Sequence, residues 1–411
     1  MIIGTLVSTA FAIFLLFTTA GQGVLINLEL MAIIPIVFAA LSLILLMLTI
    51  GLAWAPLQKA DQTLTSGILQ LFRKDRYIQI ASYWMIIFAL ISSFMGIDAF
   101  LHILAKPHVV AIWFILLGVT LDCWHYLMKR IFNYFNPFAV VQLFTREAIL
   151  CIRNQNDNEL CDWIDSLTEI SIKAIERNST SLSSQALDTM PIIAADYLES
   201  AKSISHPIDE EPGKNAGPID QVSYTLFYLF QRLESINTTA AQKKLDPICS
   251  KMVTVLGKIA ISSAKYDLTI VSYPVHFLGK FAKSAQENNM QDVAVKATLT
   301  LLEVSRVIIT EVDIAYADLK DPFLGIITHL DEIAKETFRQ DKSTNIKILI
   351  QPFRDLKELF KNEKVVTHQD TPVIVQNLDR IIGEFEALEM VLMRIPPIPT
   401  LSEVIPPEET K

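Results

Sequence analysis

Only four cysteines occur in 411 residues, Cys123, Cys151, Cys161 and Cys249, and no two stand at C-x-x-C spacing. That scarcity excludes a disulfide-stapled secreted module and a thiolate metal centre, and it predicts reduced thiols in a cytosolic setting. The strings that carry recognisable chemistry are also missing. Neither GxGxxG nor GxxxxGK followed by Ser or Thr occurs, so there is no loop of backbone amides to cradle phosphate. HExxH, GxSxG and EF-hand patterns are absent too. Strand-like alternation is scarce, and 365–375 is the only stretch that offers it. These absences predict an all-α protein with no catalytic set, no cofactor and no metal site, and so not an enzyme.

What is present is concentrated at one end. The composition is 51% apolar with a mean hydropathy of +0.38, and the excess lies in four runs at 2–20, 31–54, 78–104 and 109–128. A helix needs about 20 apolar residues to cross a bilayer. The runs therefore predict a transmembrane domain of four spans over residues 1–130, and no such run follows it. The first run also carries Thr18-Thr19-Ala20, small residues of the kind that precede signal-peptide cleavage, although no Lys or Arg precedes it.

Charge divides along the same line. Up to Asn136 there are seven basic and five acidic residues; beyond it there are 28 basic and 39 acidic. An acidic C-terminal domain repels phosphate backbones, which argues against nucleic acid as a partner. The two short turns, 21–30 and around Pro107, hold no basic residue but Lys106. The connection 55–77 carries Lys59, Arg73, Lys74 and Arg76, and Lys129 and Arg130 follow the fourth run. Positive residues stay on the cytoplasmic side. The expectation is thus a multi-pass protein of a bacterial-type inner membrane, with its N-terminus and C-terminal domain in the cytoplasm. Within 55–77, Leu57, Leu64, Ile68, Leu71 and Phe72 recur at helical spacing. They suit either a helix lying among lipid headgroups or an elbow packed on the C-terminal domain.

Ionisable groups inside spans are candidates for function. Asp98 and His102 are four apart, and Asp122 and His125 three apart, so each pair shares one helix face. A carboxylate beside an imidazole can pass a proton or hold an ion. At about 1.5 Å per residue, however, the two pairs fall toward opposite faces of the membrane and cannot ligate one metal. Small residues at four-residue spacing, Ala89/Ser93 and Ser92/Gly96, permit close helix contact and are compatible with a homo-oligomer.

From Pro137 onward, apolar residues recur at three and four spacing, as in Trp163, Leu167, Ile170 and Ala174. Polar breaks at 178–180, 205–220, 237–239, 288–289 and 341–345 separate helices into pairs. Leu226, Leu278 and Leu330 lie 52 apart, each read as opening a pair, with Leu167 opening another. The helical domain over 131–395 is therefore either an irregular bundle or an α-solenoid of hairpins. The histidines His206, His276, His329 and His368 are scattered and read as packing residues. The Pro-rich tail 396–411 is expected to be disordered. Two Asn-x-Ser/Thr strings, at Asn178 and Asn237, are glycosylation patterns that a cytoplasmic domain leaves unused.

The functional expectation is a membrane-anchored helical domain that binds another protein as a scaffold or regulator. Membrane lipids surround its anchor. The rival expectations are a transporter or channel component using the Asp/His pairs, and a membrane enzyme whose site is assembled from distant residues.

Overall fold

A computed structural model describes residues 3–21, 28–100, 107–204, 218–314 and 317–394. The described residues are helical, with no strand among them. His102, His206, most of the 205–220 break and the tail 396–411 lie outside them. The chain divides into two compact units, Met1–Glu147 and Ala148–Lys411.

The first unit holds α1 (Ile3–Gly21), α2 (Leu28–Thr63), α3 (Ile68–Lys74), α4 (Arg76–Phe100), α5 (Pro107–Phe135) and most of α6 (Pro137–Arg153). Asn136 precedes a proline and therefore avoids the helical region, which ends α5 and starts α6. Three stretches are long and apolar enough to cross a membrane: Ile33–Thr63, Arg76–Asp98 and Val109–Phe135. Within α1 the stretch Gly4–Phe14 is also apolar. The second run was expected to end at 54, but α2 continues through Pro56 to Thr63.

Helix α2 lies along α4, and α1 lies along α5. The α2 stripe that faces inward is Ala39, Ser42, Leu46, Thr49, Ala53 and Leu57, all buried and spaced three or four apart. Small side chains let helix backbones approach where there is no hydrophobic gain from packing. Three tryptophans then fix the register, each donating its indole N–H to a hydroxyl on a neighbouring helix. Trp113 reaches Ser92 Oγ at 2.8 Å, Trp84 reaches Thr120 Oγ1 at 3.2 Å, and Trp124 reaches Thr49 Oγ1 at 3.1 Å. In an apolar surrounding such donors must find an acceptor.

The apolar residues of 55–77 are neither spread among headgroups nor open to solvent. Leu57, Leu64, Ile68, Leu71 and Phe72 are all buried, and Phe72 meets Tyr134 of α5 edge-on at 5.4 Å. The connection is a packed elbow whose apolar face is already covered.

The second unit holds α7 (Asp157–Glu176), α8 (Thr180–Ile204), α9 (Pro218–Gln242), α10 (Asp246–Tyr266), a short 3-10 turn (Leu268–Val271), α11 (Ser272–Glu287), α12 (Gln291–Glu311), α13 (Lys320–Gln340), α14 (Ile346–Leu359), α15 (Glu363–Val366) and α16 (Thr371–Arg394). Helices α7, α9, α11 and α13 pack in sequence as one layer, and α8, α10, α12 and α14 as the other. Helix α16 closes the stack against both α13 and α14. This is a two-layer stack of hairpins, not an irregular bundle. Ion pairs stitch neighbours within each layer: Asp165 with Arg232, Glu234 with Lys280, Asp188 with Lys251, and Glu311 with Lys265.

The repeat is written in its turns. Gln155, Asn178, Lys244 and Asn289 all adopt positive φ, between 54° and 60°. After Asn178, Ser179 N donates to Ala174 O at 2.8 Å and Asn178 N to Ile175 O at 3.0 Å. The same two bonds recur at Leu245 and Lys244, at Met290 and Asn289, and at Asn156 and Gln155. Each satisfies the orphan carbonyls of a helix end by the Schellman pattern, without the usual glycine.

Three sequence expectations are corrected here. Asn237–Thr239 is no break: it lies inside α9, where Asn237 is buried and Thr238 and Thr239 bond back to the carbonyls of Glu234 and Ser235. The turn falls at 243–245 instead. Leu226, Leu278 and Leu330 do not open helices. They are buried mid-helix anchors of α9, α11 and α13. Residues 365–375 form no strand, since α15 ends at Val366 and α16 begins at Thr371.

Candidate functional sites

Asp122 on α5 receives the first turn of α1. Gly4 N and Thr5 N donate to its two carboxylate oxygens at 3.1 and 3.0 Å, and Thr5 Oγ1 donates at 2.9 Å. A carboxylate there satisfies amides that have no partner within the helix and complements the positive end of its dipole. Asp122 therefore caps α1, while His102, the partner expected for Asp98, lies outside the described residues. His125 lies exposed one turn further along α5, and Asp98 is half-buried near the end of α4. Among the described residues no group of three His, Cys, Asp or Glu is placed to hold a metal.

A polar centre that the sequence did not suggest joins the elbow to α5. The Asp75 side chain is 3% exposed. Its Oδ2 accepts from Arg130 Nε and from Tyr134 Oη, both at 2.7 Å, and its Oδ1 accepts from Tyr77 N at 3.0 Å. Asp75 is the one acid in the basic stretch Arg73–Arg76, and that isolation was the available signal. Beyond it, His125, Tyr126, Lys129, Arg130 and Asn133 line a small cavity of about 190 Å³.

In the second unit the scattered histidines are not all scattered. His276 of α11 and His329 of α13 lie 5.7 Å apart between ring centroids. They line a cleft of about 470 Å³ with Ser272, Lys320, Asp321 and Thr328. Gly279 makes room for this, since a Cβ there would overlap the His329 ring. His329 Nδ1 lies 3.0 Å from Glu332 Oε2. Burial, with His329 and Lys280 beside it, holds His276 below the usual imidazole pKa. Ser272 donates to Asp321, and among the described residues no imidazole takes its proton, so a serine activated by histidine is not assembled. His368 is packed, with Asp370 N donating to its Nδ1 at 3.2 Å.

Two thiols of the second unit, Cys161 and Cys249, are held in the protonated form. Burial pushes Cys161 up to about 11 and Cys249 up to about 12, far from the depressed values of reactive cysteines.

No family model matches the chain, and no curated protein matches it. One solved structure is similar, a circular tandem repeat protein with novel repeat topology and enhanced subunit contact surfaces. It is 14% identical, with 89% of this chain and 99% of that chain covered and a TM-score of 0.35. That overlap is too low to bear on the fold or the function.

Proposed function

We propose that this chain is an integral membrane protein that presents a stack of helical hairpins to a protein partner, as a scaffold or regulator. The observation that carries this reading is a row of uncovered aromatic side chains on one layer of the stack. Tyr224 is 67% exposed, and Phe227 and Tyr273 are also exposed. Tyr224 and Phe227 are three apart on α9, which places them on one face. Tyr273 stands on α11, whose Phe277 ring meets that of Phe227 at 6.4 Å. The cleft holding His276 and His329 follows along the same layer. Aromatic residues in such a setting supply most of the energy of a protein interface.

The first unit serves as the anchor. Three stretches that can span a membrane, with α1 as a fourth, keep the basic residues of 55–77 on the same side as the hairpin stack. That side is the cytoplasm of an inner membrane by the rule that positive residues stay inside. A photo-crosslinking residue placed at Tyr224 or Tyr273 in cells is expected to give a discrete adduct. The same residue at exposed Lys258 on α10, in the other layer, is expected to give none. Equal adducts at both positions, or none at either, would count against the reading.

A further inference from the structure

The cavity on α5 has the position and the chemistry of a lipid headgroup site. His125, Tyr126, Lys129, Arg130 and Asn133 are spaced so that they share one face of the helix. Lys129 is 20 residues from Val109, about 30 Å along the axis, and the hydrocarbon core is about 30 Å thick. The Lys129 ammonium therefore falls at the bilayer boundary. On α4, Tyr77 is the second residue of its helix and exposed. Its ring lies 5.5 Å from the Arg130 guanidinium and 6.3 Å from the Tyr126 ring. Tyrosines are enriched at that depth, where one end is apolar and the other wet.

Arg130 is paired with Asp75, so the uncancelled charge in the cavity is that of Lys129. Lys129 and His125 make no hydrogen bond or ion pair among the described residues. Arg130 bonds Asp75 through Nε, and its terminal nitrogens make no hydrogen bond among the described residues. Asp75 is taken up by Arg130, Tyr134 and Tyr77 N, and Asp122 by the first turn of α1. What remains is an ammonium, half a guanidinium fork and an amide, all able to donate to phosphate oxygens.

We infer that this cavity binds the phosphate of an anionic phospholipid, with Lys129 as the main contact. A zwitterionic lipid offers the same phosphate but adds an ammonium that Lys129 repels. The inference rests on the membrane reading of α5. The full chain in detergent would be titrated with phosphatidylglycerol and with phosphatidylcholine, and bound lipid counted by native mass spectrometry. Phosphatidylglycerol is expected to be preferred, and Lys129→Gln to weaken it about fivefold, with Lys59→Gln unchanged. Equal binding of the two lipids, or a preference that survives Lys129→Gln, would overturn the site. Displacement of the lipid by millimolar inorganic phosphate would also overturn it, reassigning the cavity to free phosphate. Alkaline carbonate extraction tests the underlying reading separately. Release of the chain from membranes defeats that reading, whereas a chain retained without lipid preference defeats only the site.

Discussion

Gly118 of α5 lies so close to Ser8 of α1 that no side chain fits between them. A Cβ on Gly118 would overlap Ser8 Oγ and stand 2.7 Å from the Gly4 carbonyl oxygen. One turn on, Asp122 holds the Gly4 and Thr5 amides, so contact and cap reinforce each other along one pair of helices. Gly118→Val must push α1 away, and overpacking of this kind costs about 1–3 kcal/mol. Asp122→Asn keeps the shape but trades an acceptor oxygen for an NH₂ group, at about 1 kcal/mol. Thermal melts in detergent are expected to rank Gly118→Val below Asp122→Asn, with both below the parent. A Gly118→Val variant that melts with the parent would mean that α1 does not pack there.

The Asp75–Arg130 pair is the second test of the first unit. Removing one partner of a buried pair is strongly destabilising, about 3–5 kcal/mol. Arg130 keeps some contact with solvent, with 18% of its side chain exposed, so the loss should be near 2 kcal/mol after that screening. In a double-mutant cycle, Asp75→Ala and Arg130→Ala are expected to be clearly non-additive. Tyr134→Phe should cost about 1 kcal/mol for its lost hydrogen bond. Additive single effects would show that the two groups do not interact.

Three apolar stretches long enough to cross a membrane, and the paired helices, were legible because hydropathy and helical spacing record them directly. The contacts within the anchor were not. The buried stripe Ala39, Ser42, Leu46, Thr49, Ala53 and Leu57 repeats in size, not in polarity, so α2 reads as uniformly apolar. Turns were legible where Asn marks them, at Asn178 and Asn289, and illegible at Lys244, whose residue type says nothing of positive φ. The false break at Asn237 is the reverse case, a polar trio absorbed into a helix by bonds back to its own carbonyls. His276 and His329 are 53 residues apart, and only the stacking of α11 on α13 brings them together.

Glycines in the hairpin stack divide into two kinds, and alanine substitution should separate them. At Gly279 a Cβ would overlap the His329 ring, so Gly279→Ala must displace α13 or the histidine and is expected to destabilise by about 1–3 kcal/mol. At Gly383 on α16 nothing lies within 4 Å of the added carbon. Gly383→Ala is therefore expected to stabilise by about 0.5–1 kcal/mol, through helix propensity and a less flexible unfolded chain. Denaturant midpoints that shift in the same direction for both would contradict the packing described.

Alkaline pH should loosen the second unit through its buried thiol and phenol groups. Burial raises the Cys249 thiol from an ordinary 9.0 to about 12, and the Tyr197 phenol from 10.0 to about 12. Between those limits the folded chain holds protons that the unfolded chain has lost, so stability falls as pH rises. Below pH 9 the contribution of Cys249 is complete; it is gone once pH passes its folded value. Denaturation midpoints measured from pH 8 to 11 should decline, and Cys249→Ala should reduce the slope. An equally steep decline in that variant would assign the loss to other groups.

The orientation can be read from a sugar. Both Asn-x-Ser/Thr strings matched the glycosylation pattern, but only one can report. Asn237 is buried within α9, whereas Asn178 is exposed at the turn between α7 and α8. The basic residues of 55–77 predict that the hairpin stack faces the cytoplasm. Translation with microsomes is then expected to leave Asn178 bare. Adding an acceptor string within the turn around Pro107 should gain a glycan, provided that turn is lengthened enough to reach the transferase. A glycan on Asn178 would invert the topology. It would also move the Lys129 cavity to the opposite leaflet, because α5 carries both the span and the site.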